Sequence, residues 1–256
     1  MEAVIRTPYQ GVINIIRFNW HFYVLAAMSV LVLLVASNFI SKLMFWPCII
    51  VATGIFASTI VSLLVSHYVY DLSGLYDFNW LRQLNKLTTR NIANIHAGFD
   101  ETSSVLKTNF PATTLQVFDF YDPSRHTEIS IERARKAYPP YIGTVKTSTS
   151  QLSVAGNSID IFFNIFALHE VRNRNERIQF LKEQVRALRH DGQLVVIEHL
   201  RDIPNLLAYN IGFFHFLSAQ EWNTNFQQAG LCINNTFKIT PFITGFILSK
   251  TDGNTP

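Results

Sequence analysis

Residues 159–201 decide the fold. They begin Ile159-Asp160-Ile161-Phe162-Phe163-Asn164-Ile165-Phe166-Ala167-Leu168-His169-Glu170-Val171 and continue with a charged segment, Asn173 to His190. Asp191-Gly192 follows, then Gln193-Leu194-Val195-Val196-Ile197-Glu198-His199. The order reads as strand, helix, tight turn, strand. Both apolar runs are near-continuous in β-branched and aromatic residues, so each strand is predicted to be buried on two faces. A crossover of this size is right-handed and implies a parallel sheet. Ligands of such sheets sit beyond the carboxyl ends of the strands, which turns His169, Glu170, Glu198 and His199 towards a candidate site. In the charged segment Ile178, Leu181, Val185 and Leu188 form the stripe that faces the sheet.

Upstream the character changes. Only 15% of the 256 residues are charged, against about 25% in an average soluble domain, and the shortage lies in the first seventy. Trp20 to Ile40 and Leu43 to Tyr70 contain no Asp, Glu, Lys or Arg. Each reaches the length of about 20 apolar residues that a bilayer span needs. Trp20, Tyr23, Phe45, Trp46, Tyr68 and Tyr70 gather near the ends, as interfacial aromatics do. Ser41-Lys42 leaves room only for a tight turn. Residues 1–70 therefore read as a membrane hairpin with spans at about 20–40 and 43–66; the alternative is a pair of helices buried in a soluble core. The apolar core is too long for a signal peptide. Arg6 and Arg17 precede the hairpin, Arg82, Lys86 and Arg90 follow it, and only Lys42 lies in its turn, which puts both termini in the cytoplasm. A net charge of +3 without a basic block excludes a nucleic-acid footprint. Cys48 and Cys232 sit in unrelated contexts and suggest no disulfide framework.

Residues 71–90 read as a linker and an amphipathic helix, with Leu75, Phe78, Leu81 and Leu84 at spacings of three. Trp80 docks on either the membrane or the domain. Residues 91–256 form the main domain. Predicted strands are Asn91–Gly98, Thr114–Phe120 and Tyr141–Lys146, with helices at Phe99–Asn109 and Ile129–Tyr138. The quoted unit adds strands four and five. After a very apolar connection, Leu206–Leu217, comes a helix at Ala219–Gln228. Cys232–Thr240 and Phe242–Lys250 are separated only by Pro241 and must pair as an antiparallel hairpin. Thr251–Pro256 reads as a frayed tail.

Five strand-helix units closed by an antiparallel pair resemble the seven-stranded class I S-adenosylmethionine-dependent methyltransferases. The residues that carry the resemblance are Asn157-Ser158-Ile159-Asp160, Ala167-Leu168-His169-Glu170-Val171 and Arg186 to Glu198, together with Trp222, Phe226, Ala229 and Gly230. They are most similar to the branch that methylates quinones and other small molecules. The fold implied is α/β: a seven-stranded, mostly parallel, Rossmann-like sheet with a C-terminal antiparallel pair, preceded by the two-helix hairpin.

The resemblance also implies a site. S-adenosylmethionine would be held by Gly98 and Phe99 after strand one, by Asp119 or Asp122 after strand two, by Thr149 after strand three and by Phe166 after strand four. Asp122 is preferred over Asp119 because it falls past the apolar run. One glycine stands where the family has two or three, a degenerate glycine loop. His169 and His199 are the candidate catalytic bases, having ordinary pKa values of about 6.5; either also reads as a strand cap, and Glu170 as a partner of Arg172 or Arg174. His169, His199 and His215 fit no compact zinc spacing, so no metal is expected. The apolar connection reads as a helix covering the sheet or as a lid facing lipid or a long-chain substrate. The function implied is methyl transfer to a lipophilic small molecule, such as a quinone, an aryl or polyene compound or a lipid, at the membrane surface. Its partners are the lipid membrane and that acceptor, and a homo-oligomer is compatible. The rival from another class is a methyltransferase-fold scaffold without cofactor. A dinucleotide enzyme fits less well, lacking G-x-G-x-x-G after strand one.

Overall fold

The computed structural model describes residues 6–39, 41–84, 89–125 and 128–251. Ile40, Lys86 and the expected tail at 252–256 lie outside the described residues. Two long apolar helices come first, α1 (Gln10–Ala36) and α2 (Lys42–His67). Both are long and apolar enough to cross a membrane, and little of either apolar stretch is buried. They run antiparallel from one tight turn. Helix α1 starts ten residues before the expected span. It departs from helical geometry at Asn19 (φ −115°, ψ 19°), whose side chain bonds back to the Ile15 carbonyl at 3.1 Å. The break separates a polar foot, 10–18, from the apolar rod that follows.

The foot is fastened to the main domain. Asp71, one turn beyond α2, accepts the N–H groups of Gly11 (2.6 Å) and Val12 (3.0 Å). A carboxylate there satisfies donors that a helix N-terminus leaves unpaired and complements its dipole. Arg133 donates to the Phe18 carbonyl and the Tyr138 hydroxyl donates to Asn14. Gly11 has no room for a side chain: a Cβ would collide with that of Tyr70 and stand 2.8 Å from the Asp71 carboxylate. Gly11→Val is accordingly expected to lower stability by about 1–3 kcal/mol and to open the 68–84 segment to protease. Gly54→Val, facing open space, is the control; equal behaviour of the two variants in thermal melts and proteolysis would refute the docking.

Residues 68–84 correct the expected amphipathic helix. They form a π-helical turn at Tyr68–Leu72 and 3₁₀ turns at Leu75–Asp77 and Asn79–Gln83. The spacing of three is the period of a 3₁₀ helix, whose i and i+3 side chains eclipse. Leu75, Phe78, Leu81 and Leu84 are all buried, and Trp80 docks on the domain, between Phe163 and Phe237. This strap covers one face of the sheet where a helix would otherwise lie.

The sheet has seven strands: β1 (Asn91–His96), β2 (Thr114–Asp119), β3 (Val145–Lys146), β4 (Ile159–Ile165), β5 (Leu188–His199), β6 (Leu231–Thr240) and β7 (Ile243–Lys250). Their order is β3-β2-β1-β4-β5-β7-β6. The first five are parallel, and β7 runs antiparallel to both β5 and β6. Alternation within the apolar runs explains the two-sided burial. Ile161, Phe163, Val195 and Ile197 pack on the strap and on α3 (Ser103–Asn109). Phe162, Leu194 and Val196 pack on α5 (Arg174–Ala187) and α7 (Ala219–Gln228). Helix α4 (Ile129–Ala137) lies beside the foot of α1, and α6 (Ile203–Tyr209) beside α2.

Three boundaries differ from expectation. Helix α3 begins at Ser103, because the Asp100 carboxylate takes the N–H groups of Thr102 and Ser103. Strand β3 has two residues only. Strand β5 already pairs at Leu188, opposite Ile159, so Asp191-Gly192 belongs to a bulge within the strand and not to a separate turn.

Candidate functional site

The strand order reverses between β1 and β4, which opens a crevice beyond their carboxyl ends. Two cavities occupy it. The first, about 610 Å³, is lined by Gly98, Asp119, Tyr121, Glu132, Arg135 and Lys146 among others. The second, about 220 Å³, is lined by His96, Phe99, Phe166, His169, His199 and the foot of α1. Helix α4 separates them: Glu132, Arg135 and Lys136 face the first, and Ser130, Ile131 and Ala134 the second.

Gly98 follows β1 with φ +92°, a conformation that favours glycine. A Cβ there would collide with the Arg135 guanidinium and stand 3.0 Å from Tyr121. Asp119 ends β2 directly opposite His96 and is buried. It accepts Arg135 at 2.8 Å, Lys146 at 2.5 Å and the Tyr121 N–H at 3.0 Å. Burial pushes the Asp119 pKa up, but these donors outweigh it and hold the carboxyl below the ordinary range. Of the two acids expected after strand two, Asp119 is the one that ends the strand and lines the first cavity. The apolar run continues through Phe120, but the strand stops at Asp119; Asp122 sits in an exposed turn with Ser124 and Arg125. Asp122 and Thr149 line neither cavity, and Thr149 donates to Glu176 at 2.5 Å.

His96 ends β1. Its Nδ1 accepts the Gly98 N–H at 3.0 Å, and burial, foremost, lowers its pKa. The proton therefore stays on Nε2, which is buried without a partner.

The two candidate bases separate. His169 and Glu170 lie on a 3₁₀ turn, Leu168–Glu170, past the end of β4. His169 Nδ1 is 2.6 Å from Glu198, and Nε2 is 3.1 Å from Glu170. Burial alone would lower its pKa, but the two carboxylates raise it to about 10. The two carboxylates thus favour the protonated form of His169. Glu170 pairs with His169 and His215, in place of the arginines expected for it, and they hold it well below the carboxylate range against its burial.

His199, at the end of β5, is sandwiched between the rings of Phe166 and Phe216. Burial drives its pKa down to about 4. Its Nδ1 faces two acceptors at 3.1 Å, Asn205 Oδ1 and the Phe242 carbonyl, so the proton sits there. Nε2 is left to accept from the Tyr70 hydroxyl at 2.8 Å. The sequence reading took Tyr70 for an interfacial aromatic, because it ends an apolar run.

The depressed pKa has a measurable consequence. Below pH 6.5 the unfolded chain takes up a proton that folded His199 refuses until about pH 4. This group's contribution is present above pH 6.5 and is lost as pH falls, by about 1.4 kcal/mol per unit across that window. Urea titrations of wild type and His199→Gln between pH 7 and 4 are expected to diverge by this slope; parallel lines would disprove it.

Residues 120–196 match the family described as methyltransferase domain. No curated protein matches the chain. Among solved structures it is similar to PigF with SAH, at 15% identity and TM-score 0.51, over 75% of this chain and 59% of that one. A SAM-dependent methyltransferase from Methanosarcina mazei matches at 14% identity and TM-score 0.50, over 68% of this chain and 97% of that one. Another from Aquifex aeolicus gives 14% identity and TM-score 0.49, over 75% and 97%. The chain thus has the class I, Rossmann-like methyltransferase fold, and residues 120–196 match a methyltransferase-domain model.

Proposed function

We propose that this methyltransferase domain uses S-adenosylmethionine to methylate an oxygen or carbon of a lipophilic acceptor at a membrane surface. One observation carries the reading. The second cavity is walled jointly by the sheet's carboxyl ends and by the foot of the apolar hairpin, through Gly11, Asn14, Ile15 and Phe18. An acceptor dissolved in a bilayer would reach the site along the helices that hold the domain there. Ile203, Leu207, Ile211 and Phe214, near the end of α2, are exposed and suit the same surface. In this reading the hairpin spans the membrane twice and the domain is cytoplasmic.

The residues fit the cofactor. Gly98 allows close backbone approach, Asp119 offers two acceptor oxygens for a ribose diol, and His96 Nε2–H is a buried donor without a partner, suited to a carboxylate. The cofactor would supply an electrophilic methyl group. The chain supplies alignment: Tyr70 lines the cavity, and its hydroxyl is held in place by Nε2 of neutral His199.

One observation favours a cofactor-free scaffold: Arg135 fills the space beside Gly98 and, with Lys146, occupies Asp119. Arg135→Ala separates the readings. Removing this partly exposed plug, its ion pair and its contact with the Tyr121 ring is expected to tighten S-adenosylhomocysteine binding about tenfold, or 1.4 kcal/mol. Calorimetry on detergent-solubilised protein reads it. No binding by folded wild type or by Arg135→Ala would leave the scaffold.

A further inference from the structure

We propose that His169, Glu170 and His215 form a binding site for a divalent transition-metal ion, with Glu198 and Glu128 orienting the two imidazoles. His169 Nε2 and His215 Nε2 converge on one oxygen, Glu170 Oε1, at 3.1 and 3.4 Å. The three donor atoms all lie within 4.8 Å of one another. Bonds of about 2.0–2.2 Å to a common ion place neighbouring donors roughly 3.0–3.6 Å apart, which matches both separations. The second nitrogen of each ring is held by another carboxylate: His169 Nδ1 by Glu198 at 2.6 Å, His215 Nδ1 by Glu128 at 3.2 Å. Such outer carboxylates fix the tautomer that turns a lone pair on Nε2 towards a metal. An independent observation points the same way. Glu170 Oε2 is buried and has no hydrogen-bond partner among the described residues, although most buried carboxylate oxygens have one.

The charges suit a cation. Glu170, Glu198 and Glu128 surround the two rings; among the described residues the guanidinium of Arg172 opposes them, pairing with Glu128 and touching both nitrogens of His215, so an ion on Nε2 must displace it. Without an ion, a proton on His169 bridges Glu198 and Glu170; an ion takes its place and releases it. Two imidazoles and one carboxylate suit zinc, iron or manganese better than magnesium or calcium. The set also leaves coordination positions open, and His169 and Glu170 both line the second cavity. If the methyl transfer proposed above holds, on which this last point rests, the ion would favour an acceptor with an ionisable oxygen, whose pKa it would lower.

The test is titration of tag-free, full-length protein in detergent with Co²⁺, followed by visible absorption, with Zn²⁺ competition. One equivalent is expected to bind, displaceable by Zn²⁺. Glu170→Gln and His215→Ala are each expected to weaken binding on the order of a hundredfold or more, and Glu128→Gln about tenfold. His215 is a quarter exposed, so its variant carries the test if Glu170→Gln fails to fold. Absence of stoichiometric Co²⁺ uptake by folded wild type, or affinity unchanged by His215→Ala, would overturn the proposal. S-adenosylhomocysteine calorimetry on the same samples keeps the two readings apart: Co²⁺ bound without S-adenosylhomocysteine would sink the methyl transfer and leave the metal site standing.

Discussion

Asp119→Asn is expected to weaken S-adenosylhomocysteine binding by about a hundredfold. Asp119 is the buried acid at the end of β2, beside Gly98. An ionised carboxylate accepts through both oxygens, whereas an amide gives one acceptor and presents donors to the other hydroxyl. Hydrogen bonds to charged groups contribute about 1.5–3 kcal/mol each. Losing one and gaining a donor–donor clash costs about 3 kcal/mol, or about a hundredfold in affinity. Arg135 and Lys146 lose their partner too, but both reach water and the fold should survive. Asp122→Ala, in its exposed turn, is expected to change affinity less than about twofold. Calorimetry on the two variants decides: if Asp122→Ala abolishes binding and Asp119→Asn does not, the ribose site has been misplaced. The opposite sign expected for Arg135→Ala makes the pair a stringent check.

The largest expected loss of stability is at Arg177. This side chain is 1% exposed. Its guanidinium donates to the Val171 carbonyl at 2.7 Å and to Glu221 at 2.8 Å, and lies over the Trp222 ring. It therefore ties α5 to α7 and to the end of the turn that presents His169 and Glu170. Arg177→Leu removes one partner of a largely buried pair and strands a backbone acceptor, which costs about 3–5 kcal/mol. For a chain of this size that lowers the melting temperature by roughly 10 °C. Arg125→Leu breaks exposed pairs with Glu176 and Asp122 and is expected to cost under about 1 kcal/mol. Circular dichroism melts compare them. Equal midpoints would mean that Arg177 is merely space-filling.

The sheet was legible because its central strands alternate so that each face buries its own set of side chains; Phe162 and Phe163 declare two faces in adjacent positions. The edge was not. Val145 and Lys146 are both exposed, so β3 carries no apolar pattern. The strap was misread because turns with a period of three and a helix look alike over ten residues. At the site, Phe120 is buried just past the end of β2, and a reading that follows apolarity overshoots Asp119 by that one residue and its neighbour. His169 and His199 were visible as strand-end histidines. The opposite directions of their pKa shifts were not, because Glu198, Asn205 and Phe242 come from other parts of the chain. The His169–Glu170–His215 cluster was hidden for the same reason, its members lying 45 residues apart.

The break at Asn19 makes α1 two rods with a joint. Asp71, Arg133 and Tyr138 clamp the lower rod, while the upper one, 20–36, shares its length mainly with α2. Bilayers differ in thickness by a few ångströms, and spanning helices answer by tilting. With the bend taken up at one residue, the upper rod can lean without dragging the lower. In the proposed membrane reading the hairpin works as an ankle: the wall of the second cavity keeps its shape while the leg above it follows the bilayer.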